Sequence, residues 1–176
     1  MLKLNGTLSR RDLGLSAAAL ALTACTGTQT HAGEAKTASA KDKAMSDTDW
    51  ANLTSAEWEG RLTDLEFYVL REEGTERPGT SPLNAEKRGG TFVCAGCALP
   101  LFTSETKYES GTGWPSFFQP IDGAVETKVD RKLFVARTEY HCSRCGGHQG
   151  HVFKDGPRPT GLRYCNNGVA LDFIPA

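Results

Sequence analysis

The chemistry that this sequence offers is concentrated in its six cysteines, four of which form two C-x-x-C pairs. The first pair is Cys94 with Cys97, and the second is Cys142 with Cys145. Four thiolates can surround one zinc ion tetrahedrally, with zinc–sulfur bonds of about 2.3 Å. Because four sulfurs leave no position open for water, the spacing predicts one structural zinc ion per chain rather than a catalytic metal.

A fifth cysteine, Cys165, has no cysteine neighbour and lies among turn-forming residues at the end of a strand-like run. An isolated cysteine is often a small buried core residue. However, His148 and His151 come shortly before it, and a cysteine with histidine and asparagine nearby is typical of nucleophilic catalysis. Each histidine alone is more often structural, or a further ligand near the Cys142 pair. Taken together, the three residues predict a nucleophile with imidazoles beside it.

The first 25 residues predict export from the cytoplasm. A positively charged start precedes an apolar run over residues 13–22, which is too short to span a bilayer comfortably. Residues 9–14 resemble the twin-arginine signal, whose pathway carries folded proteins. The four residues that end at Cys25 resemble a lipobox, so we expect residues 1–25 to be a signal peptide and Cys25 to be lipidated. Ordinary cleavage, which would leave Cys25 as a free thiol, is the alternative.

Residues 26–46 are mostly threonine, alanine, glycine and lysine, a composition that cannot bury enough apolar surface to order itself. We interpret them as a flexible tether with a reach of about 25 Å. The catalytic domain is then expected over residues 47–176, held at a membrane surface by the N-terminal lipid. The predicted location is periplasmic or otherwise extracytoplasmic.

Two other uses of the paired cysteines stay open at this point. An even number of cysteines in an exported protein usually indicates disulfides, for which many pairings are possible. A redox-active C-x-x-C is the other alternative, although neither pair shows the βαβ context that this interpretation needs. Export of the folded protein would let zinc bind in the reducing cytoplasm, and this favours the metal.

Composition excludes some classes of function. Lysine and arginine total 20 against 21 for aspartate and glutamate, so the formal net charge is -1. Such a chain has no broad basic surface for phosphates, and we expect no nucleic-acid partner. Nineteen glycines and eight prolines indicate a turn-rich domain. The sequence shows no coiled-coil pattern, and a monomer is expected.

The elements that must position the reactive residues are mainly strands. Thr54 with Glu57 and Thr63 with Glu66 form two potential capping boxes, each of which would open a short helix. Farther along the chain, short β-rich runs alternate with turn clusters, which predicts antiparallel sheets. The runs cover residues 91–93, 133–138, 151–153, 162–164 and 169–173.

Several motifs are specific enough to identify a family. They are GTERP at 74–78, CAGC at 94–97, SGTGWPSF at 110–117, RTE at 137–139, HQGHVF at 148–153, DGP at 155–157 and GLRYCNN at 161–167. With these motifs in this order, the chain resembles the peptide-methionine (R)-S-oxide reductases from about Leu53 to Pro175. The resemblance implies a mainly β (α+β) fold: two antiparallel sheets with short N-terminal helices, a structural four-cysteine zinc site and a shallow active site.

The resemblance also implies roles for individual residues. Cys165 would attack the sulfur of methionine-R-sulfoxide in a protein or peptide, and would become a sulfenic acid. A sulfoxide is a poor electrophile until its oxygen gains a proton, so an acid must lie beside the nucleophile. By resemblance, His148, His151 and Asn167 would hold the oxygen and help to protonate it, with His151 as the main acid.

Two aromatic residues are expected to contact the substrate. Trp114 would be the flat apolar wall for the substrate's methyl group, and Phe153 would add to the same site. A free thiol with a pKa of about 8.5 is only about 3% thiolate at pH 7. We therefore expect the imidazoles and the Arg163 guanidinium to lower the pKa of Cys165.

The sequence departs from one branch of the family at Thr112. Members that reduce the sulfenic acid internally often carry cysteine at this position. With four cysteines binding zinc and Cys25 lipidated, no internal thiol remains, and an external thioredoxin-like protein or small thiol is expected as the reductant. If Cys25 is not lipidated, the tether would let it reach the site instead.

Two other functions compete with this one. Similar two-sheet zinc folds serve as protein-binding modules, but such a module would have no use for Cys165, the histidine pair and Trp114 together. A thiol peroxidase would use the same nucleophile on peroxide. Peroxide has no methyl group to bury against Trp114, and this disfavours the peroxidase.

Overall fold

The computed structural model describes residues 48–131 and 136–176. The predicted signal peptide, the lipidation site Cys25 and the tether lie outside the described residues. So does half of the strand predicted over 133–138; of its described residues, 136 is outside any strand, and 137 and 138 are β-structure. No helix in the described ranges has the length and apolar character needed to cross a membrane.

Two short helices precede the sheets, and both begin at the predicted capping boxes. The first, α1, is Ser55–Glu59, and the second, α2, is Asp64–Leu70. The N-cap threonine of each helix accepts a hydrogen bond from the backbone N–H of the glutamate three residues later. Each glutamate carboxylate accepts the N-cap N–H at 2.7 Å in return. Such reciprocal caps satisfy two N–H groups that a helix start leaves without intrahelical partners.

Nine strands among the described residues form two antiparallel sheets, which confirms the predicted fold class. The smaller sheet has the order β2-β1-β9, and the larger has the order β3-β4-β8-β7-β6-β5. The strands are β1 (Gly90–Cys94), β2 (Pro100–Thr103), β3 (Lys107–Tyr108), β4 (Ser116–Phe117), β5 (Val125–Asp130), β6 (Arg137–Cys142), β7 (His148–Phe153), β8 (Arg163–Asn166) and β9 (Leu171–Pro175).

One predicted strand begins later than expected. Residues 168–170 form a 3₁₀ turn, Gly168–Ala170, and β9 begins only at Leu171. The backbone N–H groups of Gly168 and Val169 donate to the carboxylate of Glu76, 92 and 93 positions earlier in the chain. A strand would turn successive N–H groups to opposite sides, so both cannot reach one carboxylate from an extended backbone.

The core between the sheets is built from aromatic rings. Phe92 and Phe102 come from the smaller sheet, Phe117 and Tyr140 come from the larger sheet, and all four are 0% exposed. The rings of Phe102 and Phe117 stack with their centroids 4.1 Å apart, and Phe92 meets Phe117 edge-on at 5.0 Å. Each such ring contributes about 1.5–3 kcal/mol by burial. This packing therefore fixes the position of one sheet relative to the other, and with it the positions of the residues that lie between the sheets.

Candidate active site

Three of the predicted catalytic residues lie on strands β7 and β8, and Asn167 directly follows β8; the antiparallel register of the two strands brings His151 and Cys165 together. His151 pairs with Cys165, and Gly150 pairs with Asn166. A Cβ atom at position 150 would lie 1.9 Å from the backbone oxygen of Cys165. Only glycine fits at position 150. The glycine before His151 in the HQGHVF motif therefore determines how closely β7 approaches β8.

A bulge in β7 places both histidines on the same side of the sheet. The pairing of β7 with β6 passes from Gly150 opposite Tyr140 to His148 opposite His141, so Gln149 is an extra residue. Residues three apart normally face opposite sides of a strand, but one extra residue reverses that relation. The rings of His148 and His151 consequently meet edge-on with their centroids 5.4 Å apart.

A cavity of about 240 Å³ opens beside Cys165. It brings together five residues that the sequence assigned to the site: Cys165, His151, Asn167, Trp114 and Phe153. The other lining residues are Thr75, Arg137, Gly150 and Asn166. Cys165 itself is half-buried, so its sulfur is within reach of a small ligand in the cavity.

His151 is held by a carboxylate that the sequence interpretation missed. Its Nε2 lies 2.8 Å from Oδ2 of Asp130, and the same oxygen accepts a hydrogen bond from Arg137 at 2.7 Å. Burial lowers the pKa of His151, while the hydrogen bond with Asp130 acts in the opposite direction. The imidazole therefore rests neutral, with a buried anion in place to stabilise its protonated form.

His148 does not line the cavity. Its side chain is 2% exposed, and its Nδ1 lies 2.6 Å from Oε1 of Glu139, which also contacts His141. Burial alone would raise the pKa of Glu139, but the hydrogen bonds with His148 and His141 lower it. The other ring nitrogen of His148, Nε2, is buried and has no hydrogen-bond partner among the described residues. A small polar ligand or water would satisfy it.

Asn167 and Trp114 are both held in place by main-chain groups. The Asn167 side chain accepts from the Glu76 N–H at 3.1 Å and donates to the Gln149 carbonyl at 3.0 Å. The Trp114 indole N–H donates to the Glu76 carbonyl at 3.2 Å. The ring that lines the cavity is thus fixed in orientation, with its polar edge satisfied.

Phe153 is covered on one face by a cation. The Arg163 guanidinium carbon lies 4.3 Å from the centroid of the Phe153 ring. The guanidinium also makes two hydrogen bonds, of 2.9 and 2.8 Å, to the Asp155 carboxylate. Arg163 therefore points toward Phe153 and Asp155, an orientation that the sequence alone did not give.

The expected lowering of the Cys165 pKa is wrong for the substrate-free site. Burial raises the pKa of the thiol above its ordinary value, and this outweighs the opposing effects of Arg163 and the Thr112 hydroxyl. Burial disfavours the charged thiolate because the low-dielectric surroundings solvate it poorly. In the substrate-free site, the Cys165 side chain is accordingly a neutral thiol.

Three hydroxyl groups form a hydrogen-bonded series that begins near the Cys165 sulfur. Thr112 Oγ1 is 4.0 Å from the Cys165 sulfur and 2.8 Å from the hydroxyl of Ser110. Ser110 in turn meets the hydroxyl of Ser116, which is fully buried, at 2.7 Å. Thr112 occupies the position of the internal thiol that the resemblance describes, so at this position a hydroxyl group faces the nucleophile.

The four paired cysteines form a cluster where the two sheets meet. Cys94 ends β1 and Cys142 ends β6, and the four Sγ atoms all lie within 4.8 Å of one another. The sulfurs of Cys94 and Cys145 are 3.7 Å apart, and those of Cys97 and Cys142 are 3.5 Å apart. Sulfurs around a tetrahedral metal with bonds of about 2.3 Å would be about 3.8 Å apart. The donor set therefore fits a metal, and none of these cysteines forms a disulfide.

The two C-x-x-C segments turn in the same way. In each, the residue after the second cysteine donates its N–H to the carbonyl of the first: Ala98 to Cys94 at 2.7 Å, and Gly146 to Cys142 at 2.8 Å. Both residues have positive φ, 54° for Ala98 and 69° for Gly146. Hydrogen bonds among the four thiols lower the pKa of Cys142 and raise those of Cys94 and Cys145.

No single motif in the sequence indicated that four further residues belong to the site. Glu76 and Arg137 belong to recognisable motifs, but their partners are far away in the sequence. Asp130 ends an exposed strand, and Gln149 lies between the two histidines of the HQGHVF motif with no role that the sequence indicated. In the structure Gln149 is fully buried, with its Nε2 3.5 Å from the Cys94 sulfur. A charged or amide residue inside a β-rich motif is the signal that could have marked Arg137 and Gln149, whereas Glu76 lies in a loop motif and Asp130 in none.

Comparison with known proteins gives a consistent result. Residues 62–175 match the SelR domain family. The peptide methionine sulfoxide reductase MsrB of Leptospira interrogans is 52% identical over 123 residues, which cover 69% of this chain and 94% of that protein. The MsrB of Agrobacterium fabrum is 50% identical over 125 residues, 70% of this chain and 93% of that protein. The chloroplastic B1 enzyme of Arabidopsis thaliana is 49% identical over 124 residues, 70% of this chain and 61% of that protein.

Proposed function

Since this chain belongs to the methionine sulfoxide reductase B family, we propose that it reduces the R epimer of methionine sulfoxide in proteins or peptides, with Cys165 as the nucleophile. The single observation that supports this best is the cavity in which Cys165, His151 and Trp114 meet. It offers a nucleophile, a proton carrier and an apolar wall within one small space. Binding and reduction of a methyl sulfoxide require all three of these features.

The reaction transfers one oxygen atom between two sulfurs. The Cys165 sulfur attacks the sulfoxide sulfur and forms a bond between the two sulfurs, while the sulfoxide oxygen takes up a proton. The protonated oxygen then shifts to the Cys165 sulfur as its bond to the substrate sulfur breaks, and the bond between the sulfurs breaks as methionine leaves with the electron pair. The oxygen remains on Cys165 as a sulfenic acid, so the cysteine is oxidised by two electrons and the substrate is reduced by two. The proton that left the thiol ends on the oxygen.

Proton movement is the task of His151 in this scheme. In the empty site burial favours the neutral thiol of Cys165 and the neutral imidazole of His151. When substrate binds, the proton passes from the thiol to His151 and from there to the sulfoxide oxygen. The Asp130 carboxylate stabilises the intervening imidazolium.

His148 and Asn167 assist at the oxygen. The Nε2 of His148 has no hydrogen-bond partner among the described residues and is suited to bind the oxygen through a water molecule. Asn167 lines the cavity with its amide already held, so it acts as a fixed polar group. Trp114 and Phe153 hold the apolar part of the substrate.

The four-cysteine cluster is proposed to hold one zinc ion through Cys94, Cys97, Cys142 and Cys145. Zinc bound by four sulfurs supplies a structural cross-link and no open coordination position. The metal would thereby hold β1 of one sheet to β6 of the other. This arrangement supports the framework on which Cys165 lies.

The reductant and the location are further parts of the proposal. The described cysteines other than Cys165 all belong to the cluster, so a thioredoxin-like protein or small thiol would reduce the sulfenic acid. The N-terminal sequence supports export and attachment through lipidated Cys25, with repair of oxidised exported proteins as the physiological task. Mass spectrometry of the mature N-terminus tests the attachment, and ordinary cleavage without lipid would contradict it.

The decisive assay uses each epimer of a methionine sulfoxide peptide with dithiothreitol, on the wild type and on Cys165→Ser. We expect the wild type to convert the R epimer alone and the variant to convert neither. Turnover of the S epimer alone, or of neither epimer by the wild type, would contradict the proposal. The same protein tested with hydrogen peroxide distinguishes a thiol peroxidase.

A further inference from the structure

Glu76 is a buried carboxylate that the reaction itself does not use. Its side chain is 5% exposed, and its two oxygens accept hydrogen bonds from consecutive backbone N–H groups, those of Gly168 at 2.5 Å and Val169 at 3.0 Å. These donors begin the 3₁₀ turn that follows the catalytic strand β8. Burying a carboxylate is costly unless strong donors compensate for the lost water.

The Glu76 carboxylate lies close to a turn position that is crowded by another residue. A Cβ atom at position 168 would lie 1.9 Å from the Ser81 hydroxyl oxygen and 3.2 Å from Oε1 of Glu76. Ser81 therefore requires glycine at this position, and Glu76 packs tightly beside the same space. Glu76 is in this way fastened to the segment directly after Asn167.

The main chain of Glu76 contacts both walls of the cavity. Its carbonyl accepts the indole N–H of Trp114, and its N–H donates to the side-chain oxygen of Asn167. The residue before it, Thr75, lines the same cavity. One residue thus connects the aromatic wall to the polar wall, while its side chain anchors it to the 3₁₀ turn that follows the strand carrying Cys165.

We propose that Glu76 is a positioning residue that sets the separation between Trp114 and the Cys165–Asn167 segment, and thereby the affinity for the substrate's methyl sulfoxide group. The affinity part rests on the proposed function. The positioning part does not, because it concerns only the contacts of Glu76 with Trp114 and Asn167. Glu76 touches neither the reacting sulfur nor the sulfoxide oxygen in this account.

The test compares Glu76→Gln with the wild type. Glutamine has the same shape but one acceptor oxygen fewer, so one of the two backbone N–H groups loses its partner. Glu86→Gln is the matched control, because it makes the same change in charge at a glutamate that pairs with Arg88 and does not line the cavity. Glu76→Asp, which keeps the charge on a shorter side chain, provides a milder second variant.

The first readout is acrylamide quenching of tryptophan fluorescence. Trp50 is 7% exposed and Trp58 is 2% exposed, whereas Trp114 lies at the cavity, so quenching reports mainly on Trp114. We expect stronger quenching in Glu76→Gln, an intermediate value in Glu76→Asp and no change in Glu86→Gln. Quenching equal to that of the wild type in both Glu76 variants would overturn the proposal, whether or not the protein is an active reductase.

The second readout separates affinity from chemistry. We expect Glu76→Gln to raise KM for the R-sulfoxide peptide about tenfold, with kcat within about threefold of the wild type. Alkylation of Cys165 by iodoacetamide, which needs no aromatic wall, should stay within about twofold of the wild type. A lower melting temperature with unchanged KM would show a merely structural role and would overturn the proposal. An inactive wild type would contradict the proposed function, and the quenching experiment would still decide this inference.

Discussion

His151 and Cys165 lie directly opposite each other on the adjacent antiparallel strands β7 and β8. Side chains of such a pair have Cβ atoms about 4.5–5.5 Å apart, close enough for a proton carrier to serve a nucleophile. The pairing comes from the backbone register, which the close approach at Gly150 helps to fix. The relative position of the two groups therefore does not depend on a flexible loop.

Asp130 is expected to affect catalysis through its hydrogen bond with His151. Asp130→Asn removes the negative charge that raises the pKa of His151, so that pKa should fall further and the protonated imidazole should be rarer at a given pH. We expect kcat to fall about 10- to 100-fold, and the low-pH limb of the profile, where protonation of His151 blocks transfer of the thiol proton, to move to lower pH. The measurement is the pH profile of sulfoxide reduction. Asp122→Asn, on an exposed residue, is the control, and an unchanged profile would exclude this role for Asp130.

The resting thiol should ionise at unusually high pH. Because burial raises the pKa of Cys165, its alkylation by iodoacetamide should follow a titration with a midpoint above about 8.5, the value of a free thiol. Arg163 opposes the effect of burial, so Arg163→Gln should move the midpoint still higher. Rates measured between pH 6 and about 10 test both statements. A midpoint near about 6 in the wild type would show that the site activates the thiol before substrate binds.

A cysteine at position 112 should change the catalytic cycle into one in which an internal disulfide forms. Thr112 Oγ1 is 4.0 Å from the Cys165 sulfur, so the thiol of Thr112→Cys would lie beside the sulfenic acid. The two would condense to a disulfide with loss of water. After one turnover without reductant, we expect dimedone to label the wild type and Thr112→Ser, but not Thr112→Cys. Equal labelling of all three would show that position 112 cannot reach the nucleophile.

Metal removal should destabilise the domain as a whole. We expect about one zinc ion per chain, and a loss of at least about 5 kcal/mol in the free energy of unfolding when a chelator removes it or when Cys142→Ser weakens the site. Metal analysis and thermal unfolding measure the two effects. Cys25→Ser, which changes a cysteine outside the cluster, should leave the metal content unchanged. An unaltered melting temperature after complete metal removal would contradict the structural role.

Local features of the fold were predictable from the sequence, and long-range ones were not. The capping boxes at Thr54 and Thr63 involve residues three positions apart, so the sequence contains both partners together. The 3₁₀ turn after Asn167 depends on Glu76, whose distance along the chain hides the contact. The predicted strand over residues 169–173 is consequently too long at its start.

The candidate site shows the same division. The motifs predicted that Cys165, His151 and Trp114 would meet, and they do. The pKa of Cys165 was misjudged because the sequence gives the charges near a thiol but not its burial. Asp130 was missed because β5 has no motif of its own and reaches His151 only through the pairing of three strands.

The four-cysteine cluster has a consequence for damage by oxidants. The sulfur of Cys94 lies 3.7 Å from that of Cys145, and the sulfur of Cys97 lies 3.5 Å from that of Cys142, so each contact joins the C-x-x-C segment at the end of β1 to the C-x-x-C segment at the end of β6. If peroxide oxidised these thiols after the metal had left, disulfides between Cys94 and Cys145 and between Cys97 and Cys142 would link the two sheets covalently. Disulfides within each C-x-x-C would instead leave the sheets unlinked. Peptide mapping of the oxidised protein distinguishes these two outcomes.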